Sequence, residues 1–552
     1  MADPKENLQM EKIVSLCKRR GFVFPSSEIY GGINGFWDYG PLGAELKRNV
    51  KELWWQTMTR EREDIAGLEA TIIMSPKIWE ASGHVSTFSD PMIDCKTCKG
   101  RFRADQTDEI ACPQKPSKMV SECHGEKTEA RAFNLMFQTY VGPTATAADI
   151  AYLRPETAQA IFAQFKNVLE TSRQKVPFGI AQVGKAFRNE VTPRTFTFRS
   201  REFEQMELEF FIKPDEVVEA VCGHVATAAE VFGVPPSGGS EPAQAGTPNP
   251  AANWGWQAWH QYWVEERVRF YEGIGLSRDT LGFHHQAPAE LAHYARACTD
   301  ILFKFPFSKK DADGTVKGDE LEGIAARSDF DLSQHQRFSG KPMGVFDDEL
   351  RAAWGKLPKE KQDDLWRRYY ENRKNYLAKS GMEAEAASKQ ATEDANGLAK
   401  GQYIPHVIEP SAGVDRLILA LIANAYTEAT KTDDKGKSET TVVMKFHPRV
   451  APIKVGVLPL LKNKPELVAK AIAVRDLLRP WMNVYYDDGG SIGRRYARQD
   501  EAGTPFCVTI DFDTLGEKPE LLDTVTLRYR NDGRQERLKT SDLRDWLLAR
   551  IR

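Results

Sequence analysis

Residues 178–212 read FGIAQVGKAFRNEVTPRTFTFRSREFEQMELEFFI. The stretch predicts two strands joined by a basic loop, because side chains alternate with period two along a strand. On the first strand Arg188 and Glu190 fall on one face; on the second Arg201, Phe203, Gln205 and Glu207 share one. The other face of the second strand turns apolar from Met206 through Leu208, Phe210 and Ile212, as a sheet laid over a core requires. The polar face carries arginines, carboxylates, an amide and an aromatic ring, and two readings fit it. One is a solvated sheet face with cross-strand ion pairs. The other is a nucleotide site, where arginine meets phosphate, a ring stacks on a base and a carboxylate accepts from an exocyclic amine.

The 552 residues allow three or four domains at about 150 residues each. Hydrophobic residues make up 41% and charged residues 28%, an ordinary globular composition. No apolar run approaches the ~18 residues of a membrane span, and the polar start MADPKENLQMEK has no signal-like core. A cytoplasmic protein without a membrane partner is expected. Net charge is −3, with 19 Lys+Arg against 15 Asp+Glu in residues 446–552. That mild basic bias suits an RNA partner, although charge alone favours a plain solvated surface.

Four of the eight cysteines cluster at Cys95, Cys98, Cys112 and Cys123. In a reducing compartment such a cluster reads as metal rather than disulfide. Cys-x2-Cys is a good zinc half-site; the second half is poorer, and His124 is an alternative ligand. The other four cysteines read as buried thiols.

Along the chain, residues 9–30 predict a helix and a turn, and Pro41 suits the first turn of a helix lined by Leu42, Leu46, Val50, Leu53 and Trp54. FNLMF (133–137) predicts a strand, and a helix follows Pro155 with Ile161, Phe162, Phe165 and Leu169 on one face. The Pro-, Gly- and Ala-rich run within 214–256 predicts a flexible insertion. LAHYARACTDILFKFPF (291–307) predicts a helix entering a strand, and DELEGIAARSDFDLSQH (319–335) a charged surface loop. Residues 346–400 predict charged helices. A strand VIE is expected to end at Glu409, with a turn at Gly413. From Ala451 the order β-α-β-α predicts an α/β domain in which Arg494, Arg495, Arg498 and Arg530 read as RNA-backbone contacts or as plain surface.

The opening stretch resembles motif 2 of the class II aminoacyl-tRNA synthetases: Phe187-Arg188-Asn189-Glu190, a loop, then Arg201 and Phe203. GPLGAELKRN (40–49) resembles motif 1, the dimer-interface helix, and GVDR (413–416) after EPSAG resembles motif 3. The segments AFRNE, TFRSREFEQMELEFF and RPETAQ look like the glycyl enzymes of the homodimeric type. The C-terminal part looks like the anticodon-binding domain shared by glycyl, histidyl, threonyl and prolyl enzymes. The resemblance implies an α+β fold: an antiparallel-sheet catalytic domain over 1–445, with insertions near 96–130, 214–255 and 345–400, then an α/β anticodon-binding domain over 446–552.

It also implies a homodimer that activates glycine with ATP and Mg2+ to glycyl-adenylate and charges tRNA(Gly). Arg188 would hold the α-phosphate, Arg416 the γ-phosphate and Glu320 the magnesium, with Phe203 under the adenine and Glu190 at its amine. Asn189, Phe198, Arg199, Ser200, Arg201, Glu202, Leu321, Gly413, Val414 and Asp415 would complete the ATP site. Arg103, Glu156, Glu204, Gln205, Met206, Glu207, Glu409, Pro410, Ser411, Ala412 and again Phe203 and Gly413 would surround the amino acid. His84, in an SGH element, reads as a ligand or as a structural or tRNA-end residue. Two alternatives stay open. One is another class II synthetase, which the crowded carboxylates oppose; the other is a non-catalytic nucleic-acid-binding relative, which Arg188 and Arg416 oppose.

Overall fold

The computed structural model describes residues 4–552 apart from 109, 192, 194, 233–252, 311–313 and 433–437. Seven strands form the main sheet: β1 (Ile65–Gly67), β2 (Phe178–Phe187), β3 (Glu202–Ile212), β4 (Leu281–His285), β5 (Ala297–Phe303), β6 (Asp319–Ser328) and β7 (His406–Gly413). Their order is β4-β5-β6-β7-β3-β2-β1, antiparallel throughout except for the β1–β2 pair.

In chain order the helices around it are α1 (Pro4–Arg20), α2 (Pro41–Trp55), α3 (Ala158–Thr171), α4 (Trp256–Gly273), α5 (Phe330–Ser339), α6 (Lys359–Lys379), α7 (Ala384–Gly397) and α8 (Val414–Ala425). One sheet face meets α1, α2, α4 and α8, and there the predicted apolar row Met206, Leu208, Phe210 and Ile212 is fully buried. The other face packs Phe178, Ile180 and Phe211 against Phe162 and Phe165 of α3, Leu332 of α5 and Tyr369 of α6. The buried half of this second face is core; the other half carries the polar residues of the site.

Several local expectations change. β2 ends at Phe187, so Arg188 and Glu190 lie in the turn beyond it. The strand expected at 133–137 covers only Arg131–Asn134. Helix Asp215–Cys222 buries Val217 and Val218, so the flexible segment expected from 214 starts later; its Pro- and Gly-rich part falls on 233–252, outside the described residues. Residues 291–296 form a turn, not a helix. The acidic run 319–335 is a central strand and a helix, because Glu322, Asp329 and Asp331 each meet a buried arginine: Arg267, Arg373 and Arg327. Residues 359–397 pack into the second core, with Arg373 itself buried.

β7 runs past Glu409 to Gly413, which is extended (φ −79°) rather than turned. Pro410 has no N–H to give a neighbour, an unusual residue in a central strand. Pairing of β3 with β7 accordingly lapses between Glu207–Ser411 and Phe210–Ile408.

The C-terminal part is a mixed five-stranded sheet of β8 (Val455–Pro459), β9 (Val484–Tyr486), β10 (Phe506–Ile510), β11 (Thr524–Tyr529) and β12 (Gln535–Lys539), ordered β9-β8-β10-β11-β12. α9 (Pro465–Leu478), α10 (Ile492–Ala502) and α11 (Thr540–Ile551) complete the domain. Arg495 and Arg530 are buried and bind backbone carbonyls of Pro459, Gly490, Gly503 and Phe446. Both are structural; Arg494 is exposed, and Arg498 pairs with Asp487.

Candidate active site

Alternation puts Gln205, Glu207 and Glu209 of β3 on the second face of the sheet, beside Glu409 and Ser411 of β7 and Arg327 of β6. Glu207 is buried; one oxygen accepts from Ser411 Oγ (2.7 Å) and Gln205 Nε2 (2.7 Å). The other accepts from Thr157 N (3.1 Å) and Thr157 Oγ1. Thr157 stands at the cap position of α3, yet its hydroxyl serves Glu207 instead of the helix. Arg327 Nη1 lies 2.9 Å from both oxygens of Glu409, and its Nε and Nη2 hold Asp331 at 2.8 and 2.9 Å. Glu156, just before α3, accepts from Gln159 Nε2 (3.1 Å) and lies 3.3 Å from His84 Nε2.

Carboxylates thus crowd one small volume. Glu209, across the lapse in pairing from Glu409, is fully buried, and among the described residues neither of its oxygens has a hydrogen-bond partner. Burial, then the charge of Glu409, pushes its carboxyl well above the usual range. Burial also pushes Glu409 up to about 8, against the pull of Arg327, and raises Glu207, helped by the charge of Glu156. Glu156 goes the other way: burial favours its neutral form, but His84, Arg327 and Arg188 outweigh it and hold the carboxyl well below the usual range. The recess therefore carries excess negative potential and suits one small cation.

Arg188 sits above these groups. Its Nε donates to Pro155 O (3.0 Å), and its guanidinium lies over the rings of Phe203 (5.4 Å) and Phe88 (5.6 Å). Among the described residues only Nε is hydrogen-bonded, which leaves the Nη groups for an anion. Arg416 lies 4.6 Å over the Phe198 ring and 3.3 Å from Glu320 Oε2. Arg199 pairs with Glu190 (3.0 Å). Arg201 supports the loop, donating to Glu190 O (3.0 Å) and Asn34 O (2.9 Å). Asn189 is held through its backbone N–H, and Ser200 is buried on Thr197 O. Arg103 grips Asp90 and Asp105, and feels the charge of Glu190.

The structure does not bring every expected residue to this face. Glu204 points to the opposite one, where it pairs with Lys47 and Lys51 at 2.8 Å. Asp415 accepts there from Tyr39 (2.6 Å), Lys47 (2.8 Å) and the Glu204 N–H (2.7 Å). Met206, Leu321, Ala412 and Val414 belong to the core on that side, Pro410 is buried in the same alternation, and Glu202 pairs with Lys185. Period-two alternation alone separates Glu204 and Met206 from Phe203, Gln205 and Glu207. Conversely, Arg327, Asp331, Gln159, Thr157 and His84 belong to the site's network. The spacing of Arg327 and Asp331 in ARSDFD (326–331), four apart across a strand–helix junction, is a signal that could have found the pair.

The four clustered cysteines converge. Cys98 Sγ is 3.2 Å from Cys112 Sγ and 3.4 Å from Cys123 Sγ, with Cys95 Sγ 3.9 Å from Cys123 Sγ. The sulfurs of Cys95, Cys98 and Cys123 all lie within 4.8 Å of one another, and Cys112 approaches them through Cys98; a tetrahedron built on Zn–S bonds of about 2.3 Å has an edge of about 3.8 Å. His124 is exposed.

Residues 145–234 match the model of the "tRNA synthetase class II core domain (G, H, P, S and T)", and residues 454–550 match that of the "Anticodon binding domain". The chain is 41% identical over 558 aligned residues to a glycine–tRNA ligase of Thermobifida fusca, covering 98% of each chain. It is 42% identical to the glycine–tRNA ligase of Treponema denticola, over 97% of this chain and 96% of that one. Identity to the Thermus thermophilus glycine–tRNA ligase is 39%, over 98% and 99%.

Proposed function

The chain belongs to the glycine–tRNA ligase family, and from that premise we propose how its residues divide the work. It is an aminoacyl-tRNA ligase with a class II core and an anticodon-binding domain. It joins glycine to ATP as glycyl-adenylate and then charges tRNA. A glycine carboxylate oxygen attacks the α-phosphorus, and the bond to the β-phosphate oxygen breaks to release pyrophosphate. The terminal hydroxyl of tRNA then attacks the glycyl carbonyl, and AMP leaves.

The observation that carries the residue assignment is the excess of carboxylates beneath Arg188. Glu156, Glu207 and Glu409, with Ser411, take the ammonium of glycine. Arg188 stabilises charge growing on the α-phosphate, a role of fixed position and electrostatics. Phe203 stacks on the adenine, and Arg416 meets the γ-phosphate. Glu320, a half-exposed carboxylate on the phosphate side, fits a magnesium ligand. When bound, that ion neutralises phosphate charge.

Glycine-dependent ATP–pyrophosphate exchange tests the reading. Exchange is expected with glycine alone among the twenty amino acids, and Arg188→Ala is expected to lower it about a thousandfold, roughly 4 kcal/mol. Undiminished exchange by Arg188→Ala sinks the assignment.

Cys95, Cys98, Cys112 and Cys123 fit a structural zinc, which would tie together the module that carries Arg103. One zinc per chain is expected by elemental analysis, and metal-free purified protein refutes it. The exposed Ile29, Tyr30 and Ile33, in the loop entering α2, support a homodimer; sedimentation at the mass of a single chain would refute that. Among the described residues no helix is long and apolar enough to cross a membrane. We place the protein in the cytoplasm, to be checked by cell fractionation.

A further inference from the structure

His84 closes a short relay onto Glu156. The segment Ser82-Gly83-His84 turns through a left-handed glycine (φ 83°), which brings the Ser82 hydroxyl within 2.8 Å of His84 Nδ1. On its other side Nε2 lies 3.3 Å from Glu156 Oε2. The imidazole is clamped edge-on by Trp79 (5.6 Å) and Phe88 (5.3 Å), and Asn134 Nδ2 holds the following Val85 carbonyl at 3.0 Å. Gln159 occupies the second oxygen of Glu156 and is itself held by Asp331 (2.9 Å) and His335 (3.0 Å). Both oxygens of Glu156 are therefore fixed by donors that are fixed in turn. A carboxylate can only accept, so Nε2 carries the proton and Nδ1 faces the serine.

We propose that His84 is a positioning residue of the amino-acid site: it aims the Glu156 carboxylate so that the pocket binds a primary ammonium. This rests on the reading of Glu156 as an ammonium ligand. The groups that face Glu156 and favour its charged form are His84, through its Nε2 contact, and the cations Arg327 and Arg188; Glu207, Glu409 and Tyr294 act against it. Burial alone would drive Glu156 to its neutral form, and among the opposing groups His84 contributes most. Removing the ring leaves only Arg327 and Arg188 to oppose burial and the acidic neighbours. A neutral Glu156 has lost the charge that the ammonium needs.

The test is pyrophosphate exchange between pH 6.5 and 8.5 with wild type, His84→Ala, His84→Gln, Ser82→Ala and Glu156→Gln. Glu156→Gln is expected to raise KM for glycine at least about tenfold at every pH. His84→Ala is expected to raise it about tenfold at pH 6.5 and only about twofold at pH 8.5, as Glu156 regains its charge, with KM for ATP unchanged. The sign follows because a carboxyl with a raised pKa is lost as a ligand when pH falls. His84→Gln, which keeps a donor without the ring, and Ser82→Ala are expected to fall between wild type and His84→Ala. A loss in His84→Ala that is equal at all pH values overturns the proposal. So does normal exchange with impaired tRNA charging, which would move His84 to the transfer step. If Glu156→Gln leaves KM for glycine unchanged, the underlying reading of Glu156 fails instead.

Discussion

The two faces of the central sheet bury acidic residues in opposite ways. On the helix-packed face each meets a cation and a second donor: Glu322 meets Arg267 and Tyr271, Glu204 meets Lys47 and Lys51, and Asp415 meets Lys47 and Tyr39. On the other face Glu156, Glu207, Glu209, Glu409 and Asp331 share Arg327, with His84 and Arg188 nearby. The first arrangement is complete and serves the fold. The second is short of positive charge, and the shortfall is the shape of a ligand. That tolerated charge imbalance is what supports the proposed ammonium site.

That contrast can be broken from either side. The largest effect is expected from Arg267→Ala. It leaves Glu322 buried without its cation, a loss of about 3–5 kcal/mol, read as a lower urea midpoint. The folded fraction should keep its KM for glycine; an unchanged midpoint would show that the helix-side pair is not structural. Glu207→Gln is next. It should raise KM for glycine about 10- to 100-fold, roughly 1.4–2.8 kcal/mol. Stability should hold or rise, because burying the charge opposes folding. Glu204→Gln is the smallest and the sharpest. Glu204 is three residues from Glu207 but on the other face, so it should cost about 1 kcal/mol of stability and leave KM for glycine alone. Equal kinetic effects at Glu204 and Glu207 would erase the distinction between the faces.

Much of this was legible in sequence. The alternation of Met206, Leu208, Phe210 and Ile212 against Phe203, Gln205 and Glu207 placed β3 and oriented it. Pro41 and the stripe of Leu46, Val50 and Trp54 gave α2. Where reading failed, a local signal was outvoted by long-range packing. Pro410 and Gly413 look like strand breakers, yet β7 continues because β6 supports it on one side. The acidic run 319–335 looked solvent-exposed because its partners, Arg267 and Arg373, lie 40 to 60 residues away in sequence. The strand-to-turn step at Arg188 was invisible because nothing in Phe187-Arg188-Asn189 forbids extension.

The missing rung at Pro410 has a mechanical consequence. A sheet is stiff along its ladder of hydrogen bonds, and this ladder is open between β3 and β7 at Leu208–Glu209. Glu207 borders that lapse on β3, and Glu409 lies within it on β7. The ammonium proposed to sit between these two carboxylates would bridge the lapse as a rivet bridges a seam.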